Sequence, residues 1–458
     1  MGLAVVARRS VAEEVRIMAH EALDTWLDQI EADTADTPTL RELSEQFMQT
    51  RLSLLGSCLE AVIRQRYAAE LQQTEAVCTC GRRCYRRRFD AKEVSTLQGT
   101  FTLHRPYFYC DSCQVGFHPL DATLQLSADY HQYDIQERTT QVGADLPFGR
   151  SAEHVARLTG VPASAPFIHE TLNVVGETAT LERVIPDAAE MARRIDEARG
   201  DSPRRPVLVV ACDGAMAPTR PPGGRKKKRG RGRWQEAKGV RLYLLDKQHR
   251  VIHLASWHQI ADKAAMAPAI GVLAARIPRA RVRIALVADG SDWIWDLLSE
   301  HFPDGEQILD YYHCAEYVYE TARAQYGEGT LEAQEWAEAT LARLCLNDLG
   351  DVSNGLLHMT PRSPEAEEAI RTFSIYLAGQ RGRAGYADLR RRGLPRGSGG
   401  IESANKLICH VRLKRPGAWW LEVNGNAMLR IRCAIYNGTF EQIFADYMTA
   451  RGVKSSPV

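Results

Sequence analysis

Two closely spaced pairs of cysteines flank a segment with the pattern of a β-hairpin, and no other feature restricts the local fold of this 458-residue chain as strongly. The pairs are Cys78-x-Cys80 and Cys110-x-x-Cys113, and residues 93–109 between them alternate polar and apolar side chains around a central glycine. Two thiolate pairs at the mouth of a hairpin form a tetrahedral site that suits zinc. We therefore expect a structural zinc ion bound by Cys78, Cys80, Cys110 and Cys113.

The first cysteine pair leaves an alternative open, because its spacing departs from the usual knuckle, in which two residues separate the ligands. Cys84 lies in the same basic segment and could replace Cys78 as a ligand. A chance grouping of five reduced thiols is the competing interpretation. An isolated hairpin is only marginally stable in water, so a bound metal would supply stability that the segment otherwise lacks.

The chain has the features of an intracellular protein. Its first residues carry charged groups throughout, which argues against a signal peptide, and no stretch approaches about 18 uncharged apolar residues, so no membrane partner is expected. The eleven cysteines are then expected to be reduced thiols or metal ligands rather than a disulfide framework. We expect a cytoplasmic protein.

Positive charge is concentrated in one run of the sequence. Lys and Arg number 58 against 57 Asp and Glu, a net charge of +1, which excludes a protein that coats DNA through its overall charge. Residues 225–233 read RKKKRGRGR. The run is either a solvated loop between two strands or a loop that contacts phosphates, and its position soon after a strand ending at Asp213 slightly favours the second interpretation. The candidate contacts are Arg225, Lys226, Lys227, Lys228 and Arg229.

From residue 206 onward, short apolar runs alternate with amphipathic helices, which is typical of an α/β domain. We expect strands at 206–212, 239–245, 250–256, 282–287 and 307–310. The first three follow one another without a helix between them, which predicts an antiparallel start to the sheet. Residues 10–75, 127–199 and 315–390 are predicted to be helical.

Three acidic residues lie where a sheet would expose them. Asp213 and Asp289 each end a hydrophobic strand and precede a glycine, and Glu402 follows a glycine-rich turn near the start of a helix. Three carboxylates brought together repel unless divalent cations neutralise them, and oxygen ligands favour Mg²⁺ or Mn²⁺. Two such ions about 3.5–4 Å apart would activate a nucleophile and stabilise a departing alkoxide at phosphorus. The competing interpretation is that the aspartates are turn residues.

Residues 151–176 have capping and turn residues at the spacing of a helix-turn-helix. Ser151 and Ser164 are the expected N-caps, and Gly160 is the expected turn. In such a motif the second helix enters the major groove of DNA. Two short helices joined by a glycine turn are also common in any helical domain.

Eight short motifs are ordered along roughly residues 75–440. The motifs are Arg105-Pro-Tyr-Phe-Tyr-Cys-Asp-Ser-Cys113 with Pro119-Leu-Asp121, Leu158-Thr-Gly160, Cys212-Asp-Gly214, Trp234 to Lys238, Ala288-Asp-Gly-Ser-Asp-Trp293, Ile308-Leu-Asp-Tyr-Tyr-His313 with Ala315-Glu316, Gly397-Ser-Gly-Gly-Ile-Glu402, and Arg412-Leu-Lys-Arg-Pro-Gly417 with Trp419 and Trp420. With this ordered set the chain resembles bacterial insertion-sequence transposases of the Asp-Asp-Glu class, most closely the ISKra-type group. The N-terminal helices match no motif of that group.

The resemblance implies a ribonuclease H-like catalytic core with an all-helical insertion, preceded by helical DNA-binding segments and a zinc ribbon. The implied catalytic and magnesium-binding residues are Asp213, Asp289 and Glu402. We expect seven regions: an N-terminal helical region (1–76), a zinc-ribbon module (77–120), a helix-turn-helix-like region (121–205), the first part of the core (206–314), the helical insertion (315–394), the last part of the core with the catalytic Glu (395–440), and a C-terminal tail (441–458).

Further residues expected near Asp213, Asp289 and Glu402 have two interpretations each. Asp310 and His313 end the next strand. In the functional interpretation they orient DNA or a metal-bound water. In the structural interpretation Asp310 is a cap at the strand end and His313 is a histidine whose hydrogen bonds are satisfied within the fold. Four cations that follow Glu402 contact phosphates or form a solvated face. They are Lys406, Arg412, Lys414 and Arg415.

The resemblance implies a DNA transposase that binds terminal inverted repeats, cleaves strands with magnesium or manganese, and transfers the freed 3′ hydroxyl to target DNA. Its partners would be double-stranded DNA, as transposon ends and target, and further copies of the chain in a homodimer or larger assembly at the nucleoid. The rival interpretation is a transposase-derived, sequence-specific DNA-binding protein without catalytic activity. A stand-alone nuclease would cut without needing end sequences.

Overall fold

The computed structural model describes residues 11–32, 38–222 and 232–455. The strands are β1 (Glu75–Val77), β2 (Arg83–Thr96), β3 (Gly99–Cys110), β4 (Val115–Phe117), β5 (Val207–Thr219), β6 (Arg233–Leu245), β7 (Val251–Ile260), β8 (Arg283–Ala288) and β9 (Glu306–Leu309). The helices are α1 (Val11–Ala32), α2 (Leu40–Arg66), α3 (Ala68–Leu71), α4 (Pro119–Thr123), α5 (Tyr133–Asp145), α6 (Phe148–Thr159), α7 (Ala165–Thr178), α8 (Leu181–Val184), α9 (Ala188–Arg199), α10 (Met266–Arg276), α11 (Asp292–His301), α12 (Tyr311–Tyr326), α13 (Leu331–Cys345), α14 (Leu349–Leu357), α15 (Pro364–Gly379), α16 (Tyr386–Arg392), α17 (Gly399–Ala404), α18 (Val411–Leu413), α19 (Glu422–Asn437) and α20 (Phe440–Ser455).

The chain divides into two compact units. The first runs to Thr178 and also takes in the chain from Phe444 onward, and the second is Ala179–Ile443. The region expected at 121–205 is therefore divided between the units. The expected C-terminal tail is a helix, α20, and the Tyr447 hydroxyl donates to Gln136 Oε1 at 2.7 Å inside the first unit.

The first unit begins with two helices and an antiparallel sheet. Helix α2 starts with a capping box, in which Thr39 and Glu42 satisfy each other's backbone N–H groups. Strands β1 to β4 are ordered as in the chain, and β2 and β3 form the hairpin that the alternating pattern predicts. Val94, Phe101 and Leu103 on that hairpin form a buried cluster with Leu120 of α4. The hairpin is therefore held by side chains at one end and carries the cysteines at the other.

Helices α6 and α7 have the predicted glycine turn between them. Gly160 ends α6 in the left-handed conformation with φ of 76°. Ser164 accepts a hydrogen bond from the N–H of Phe167, as an N-cap does. The prediction that Ser151 is an N-cap is wrong, because α6 begins one turn earlier and the buried Ser151 hydroxyl donates to backbone carbonyls such as Leu146 O.

The second unit contains a five-stranded mixed sheet with the order β7-β6-β5-β8-β9. Strands β5, β6 and β7 are antiparallel neighbours, as predicted, and β8 and β9 continue the sheet parallel to β5. The run Val207–Ala211 is fully buried because helices and loops cover both faces of this central strand. The unit is a mixed α/β structure, as the alternating pattern predicts.

Helices α12 to α16 follow β9, and residues 315–390 carry no strand, as predicted. Residues 399–413 are helical, with a π-helical turn at Asn405–His410 between α17 and α18. The helix thus begins three residues before Glu402 and is less regular than expected. No helix in the described parts of the chain is both long and apolar enough to cross a membrane.

Candidate functional site

Asp213 and Asp289 are placed side by side by two central parallel strands. Strand β5 pairs with β8, with Ala211 opposite Val287, and each aspartate follows two residues later. Asp289 directly follows β8, as predicted, but the prediction that Asp213 ends its strand is wrong, because β5 stays paired with β6 as far as Thr219. Carboxyl ends of neighbouring parallel strands meet at one edge of a sheet, where ligands bind. The structure therefore brings these two predicted residues to the same edge.

Asp213 is partly buried and accepts hydrogen bonds from two neighbouring groups. Its Oδ1 accepts a hydrogen bond from the N–H of Gly214 at 2.7 Å, and its Oδ2 accepts one from Asn405 Nδ2 at 2.8 Å. Burial raises the pKa of Asp213 to about 6, the negative charges of Asp289 and Glu402 raise it further, and the Gly214 bond and His313 oppose the shift. The charges of Asp289 and Glu402 thus both act on Asp213.

The loop that carries Asp289 is fastened by the helical insertion. The Asp289 carboxylate accepts bonds from the N–H and hydroxyl of Ser291, at 2.9 and 3.2 Å. Its backbone carbonyl accepts a bond from the Tyr376 hydroxyl at 2.7 Å, and Gln380 Nε2 donates to the carbonyl of Gly290 at 2.9 Å. The insertion therefore supports the site from α15 and the residue that ends it.

Glu402 is positioned by the turn that precedes it. The N–H of Ser398 donates to Asp310 Oδ2 at 3.0 Å, and the Ser398 hydroxyl donates to the same oxygen. Arg241 on β6 donates to the carbonyl of Gly400, where a side chain would collide with the ring of Tyr243. These contacts give the glycine-rich turn a physical role, because they bring the start of α17 against the sheet.

Asp310 lies at the end of β9 and is fully buried. Its Oδ1 caps α12 by accepting a bond from the N–H of Tyr312 at 2.7 Å, and its Oδ2 holds Ser398. Of the two interpretations for this residue, the geometry favours a structural cap that also positions the Glu402 turn.

His313 lines a cavity of about 390 Å³ beside Asp289, together with Glu316 and Glu320. Its Nδ1 lies 3.2 Å from Glu316 Oε2. Burial opposes the charged ring, but Glu316, Asp310 and Asp289 outweigh it and raise the pKa of His313. These carboxylates therefore favour the protonated form of the ring beside Asp289.

Asn405 is a site residue that the sequence patterns did not indicate. Because an ionised Asp213 only accepts hydrogen bonds, the Asn405 amide must direct Nδ2 to it, which leaves Oδ1 facing His258 Nε2 at 2.8 Å. Burial lowers the pKa of His258 to about 4, so its neutral ring donates from Nε2. The π-helical turn begins at Asn405, and such turns occur frequently at functional sites.

The chemistry of the donor set fits hard divalent cations. The three predicted ligands offer carboxylate oxygens alone, and an ionised Asp213 is disfavoured until a positive charge reaches it. Within the described residues, however, only the four cysteines form a group whose ligand atoms all lie within 4.8 Å of one another. Asp289 and Glu402 are therefore close enough to raise the pKa of Asp213, but the three carboxylates do not form a closed ligand group.

A groove of about 800 Å³ adjoins the carboxylates and is lined by Lys238, Lys263 and Trp293 among others. The ammonium of Lys238 lies 4.8 Å from the centre of the Trp293 ring and forms an ion pair with Glu236. The Glu236 carboxylate packs against Gly214, where any side chain would collide with it. The groove is thus lined by as many basic as acidic side chains, with Arg233, Lys238 and Lys263 against Glu236, Asp262 and Glu422, and Glu236 connects it to the residue after Asp213.

The predicted phosphate contacts have different placements. Arg225 to Arg229 lie outside the described residues. Lys406 and Lys414 are exposed. Arg412 is buried with its guanidinium carbon 5.0 Å from the centre of the Trp420 ring, which does not favour a DNA contact, and Arg415 Nε donates to the carbonyl of Val411.

Each cysteine pair lies in a tight turn between antiparallel strands of the first unit. Cys78 and Cys80 lie between β1 and β2, while Cys110 ends β3 and Cys113 precedes β4. The four sulfurs lie within 4.8 Å of one another, so this group could hold a structural metal such as zinc. Cys84 is buried nearby and lies outside this group.

The four cysteines are close enough to shift the pKa values of Cys110 and Cys113 in opposite directions. A backbone N–H of Cys113 lowers the pKa of Cys110 to about 6. Hydrogen bonding with Cys80 and burial raise the pKa of Cys113 to about 12. One thiolate is favoured, and further deprotonation needs a cation.

No protein-family model and no curated protein matches the chain. Among solved structures, the Drosophila P element transposase strand transfer complex is similar over 69% of this chain and 80% of that chain, with 11% sequence identity and a TM-score of 0.27. At that TM-score the similarity carries no argument about fold or function.

Proposed function

We propose that the chain is a DNA transposase of the Asp-Asp-Glu class, most similar to the ISKra-type group, which cleaves and joins strands at the ends of an insertion sequence. The observation that carries the proposal is the position of Asp213 and Asp289 at one edge of the sheet, where burial and the charges of Asp289 and Glu402 raise the pKa of Asp213. Acidic groups that share a site in this way call for divalent cations.

The sheet topology supports a ribonuclease H-like core. Three antiparallel strands are followed by two strands parallel to the first, and helices α12 to α16 are inserted before the segment with Glu402. This is the arrangement that the resemblance implies. Asp213 then lies on β5, Asp289 directly after the adjacent β8, and Glu402 on α17, which packs against β5 and β6.

Magnesium or manganese, when bound, would supply charge neutralisation and polarise the attacking and departing oxygens at phosphorus. The chain's own residues would prepare the site for it. Gly214 and Asn405 donate to Asp213 and favour its ionised form, and Ser291 donates to Asp289. His313, when protonated, would attract the scissile phosphate toward Asp289.

DNA would be held by separate parts of the chain. We assign strand contact near the carboxylates to the groove with Lys238, Lys263 and Trp293, and to the basic run at 225–233. Recognition of the terminal repeats is assigned to the four-cysteine module with helices α6 and α7. Joining two ends requires two catalytic sites, so we propose a homodimer or larger assembly on DNA.

The test is strand cleavage of a labelled duplex that carries the element's own ends, with magnesium or manganese. Wild type is compared with Glu402→Gln, which removes one ligand charge and preserves shape, and with Glu328→Gln, an exposed substitution in the same unit. Wild type and Glu328→Gln should cut, and Glu402→Gln should be slower by at least about a thousandfold. Binding of the same duplex is measured for all three and should be unchanged.

Two results would contradict the proposal. Cleavage by Glu402→Gln at the wild-type rate would exclude that residue from the site. Tight, specific binding by wild type without cleavage under any divalent cation would support a transposase-derived DNA-binding protein instead.

A further inference from the structure

A second cavity, of about 260 Å³, opens at the opposite end of the central strands from the carboxylates. It is lined where β5 and β8 begin and β6 ends, by Val207, Arg283 and Leu245. Asp213 and Asp289 each lie six residues further along β5 and β8, which is about 20 Å at the rise of a β-strand. This cavity is therefore separate from the candidate catalytic site.

The lining of this cavity is strongly cationic. Seven arginines contribute to it, with Lys247 and His249 beside them. The arginines are Arg199, Arg204, Arg205, Arg283, Arg390, Arg391 and Arg392. Such a concentration is unexpected in a chain whose net charge is +1. Like charges this close repel unless an anion lies among them.

The chain itself supplies few anions to this cluster. The lining carboxylate, Asp246, is already engaged, because it accepts bonds from the N–H of Gln248 at 2.8 Å and from the N–H and side chain of Arg250. Arg391 and Arg392 form ion pairs with Asp388 and Glu306. For Arg204, Arg205 and Arg390, the described residues provide no ion pair.

Arg283 is the residue most affected by this crowding. Its Nη1 donates to the carbonyl of Arg392 at 2.9 Å, while its Nε is buried without a hydrogen-bond partner. Burial lowers the pKa of Arg283, and the charges of Arg204, Arg392 and Arg205 lower it further. A buried donor without a partner among repelling cations is a position that an oxyanion would satisfy.

We propose that this arginine cavity binds phosphate groups. Guanidinium groups match phosphate oxygens in geometry and charge, and several converging on one enclosed space favour a group with two or more negative charges. The phosphates could belong to the DNA backbone, at a point away from the strand being cut, or to a free polyphosphate. The inference goes beyond strand cleavage and does not depend on it.

The test compares two matched double substitutions. Arg204→Gln with Arg205→Gln removes two exposed cavity cations, and Arg343→Gln with Arg381→Gln removes two exposed arginines of the same unit that do not line the cavity. Both variants lose the same charge. A thermal melt is recorded for each, and because all four side chains are exposed we expect wild-type melting.

Two probes distinguish the sources of phosphate. Inorganic pyrophosphate is titrated calorimetrically without added divalent cations, and a fluorescent DNA duplex is titrated at several salt concentrations. If the backbone of DNA is the ligand, the cavity variant should bind duplex about tenfold more weakly, with the salt slope reduced by about 1–2, and the control should not. If a free polyphosphate is the ligand, pyrophosphate binding should be lost in the cavity variant alone.

Either pattern supports a phosphate site, and each identifies its source. Equal behaviour of the cavity variant and the control in both titrations, whether both are unchanged or both are weakened alike, would overturn the inference. Loss of strand cleavage has no bearing on this result, so the failure of the proposed transposase activity remains separable from it.

Discussion

The four cysteines come from two turns of one small sheet, whereas the three carboxylates come from the middle of β5, the residue after β8 and a helix, spread over about 190 residues of sequence. The cysteine sulfurs lie within 4.8 Å of one another. Among the described residues, no such closed group contains Asp213, Asp289 and Glu402. Both sites gather acidic side chains, but only the first is already closed around one point.

The difference follows from how each set of side chains can avoid its own repulsion. A thiol ordinarily stays protonated near neutral pH, so a group of cysteines carries less negative charge than a group of carboxylates, even though the pKa of Cys110 is lowered to about 6 here. A carboxylate ordinarily carries its charge at neutral pH, and two of the three here accept hydrogen bonds from the chain: Gly214 and Asn405 donate to Asp213, and Ser291 donates to Asp289. We infer that the metal organises the first site, whereas the polypeptide organises the second.

The largest expected effect is at the cysteine group. Replacing Cys110 and Cys113 together with serine should abolish zinc binding and cooperative folding of the β1 to β4 sheet, because structural zinc contributes on the order of 10 kcal/mol in small modules. Metal content measured by mass spectrometry and thermal unfolding followed by circular dichroism check this.

Cys84→Ser serves as the matched control, because Cys84 is buried near the group but outside it. This variant should keep one zinc ion per chain. Loss of zinc from Cys84→Ser would instead show that Cys84 is a ligand, and wild-type protein purified without any bound metal would contradict the zinc prediction altogether.

The next effect tests whether the chain holds the carboxylate site. Asp310→Ala leaves the N–H groups of Tyr312 and Ser398 and the Ser398 hydroxyl without their acceptor. We expect the free energy of unfolding to fall by roughly 2–4 kcal/mol, as for buried donors that lose a partner. Urea unfolding measures it.

Asp348→Ala is a close control, since Asp348 also precedes a helix but is exposed and makes no side-chain capping bond. It should change the free energy of unfolding by less than about 0.5 kcal/mol. If the two variants were equally stable, Asp310 would not anchor the Glu402 turn.

A smaller effect is expected at Asn405, which acts on the proposed reaction through Asp213. Asn405→Ala removes the donor to Asp213 Oδ2, so the pKa of Asp213 should rise further and the cleavage rate should fall by about 10–100-fold. The rising limb of the pH–rate profile should move to higher pH. Binding of the duplex should not change.

Asn405→Asp separates this role from a purely structural one. Aspartate keeps an acceptor for His258 but places another carboxylate against Asp213. It should therefore be slower than Asn405→Ala and shift the profile further. A faster Asn405→Asp than Asn405→Ala, with an unshifted profile, would assign Asn405 to packing alone.

The sequence predicts most strongly those features whose cause is local. The cysteine spacings, the β2–β3 hairpin and the strands that carry Asp213 and Asp289 all follow from periodicity and neighbouring residues. Ser151 failed as a predicted cap because the start of α6 depends on Pro147, one turn earlier. The position of a helix end is decided by packing that a serine alone does not reveal.

Contacts between distant segments were not predictable in this way. His258 lies inside a strand and has the pattern of a core residue, and only the π-helical turn brings Asn405 between it and Asp213. Arg412 has the charge of a phosphate contact, yet Trp420 covers it. A charged residue in a sequence indicates a possible phosphate contact, but only the folded structure shows whether its side chain is exposed to make that contact.

The smallest effect concerns the pH dependence of stability when magnesium is absent. The pKa of Asp213 is raised from its ordinary value near 4 to about 6, so the folded state holds this proton more tightly than the unfolded chain does. The resulting stabilisation is complete below about pH 4 and is lost as the pH rises through about 6. Above about pH 6, the ionised Asp213 side chain therefore destabilises the folded state unless a cation binds nearby.

Asp213→Asn removes this destabilisation, because the amide does not ionise. In magnesium-free buffer the variant should gain stability over wild type as the pH rises from 4 to 7, by at most about 3 kcal/mol. Asp351→Asn, an exposed substitution in the same unit, should show no such trend. Magnesium should raise the unfolding free energy of wild type at pH 7 and leave Asp213→Asn nearly unchanged. A constant difference between Asp213→Asn and wild type across this range would mean that the carboxylate site, like the cysteine group, carries no charge strain before its metal binds.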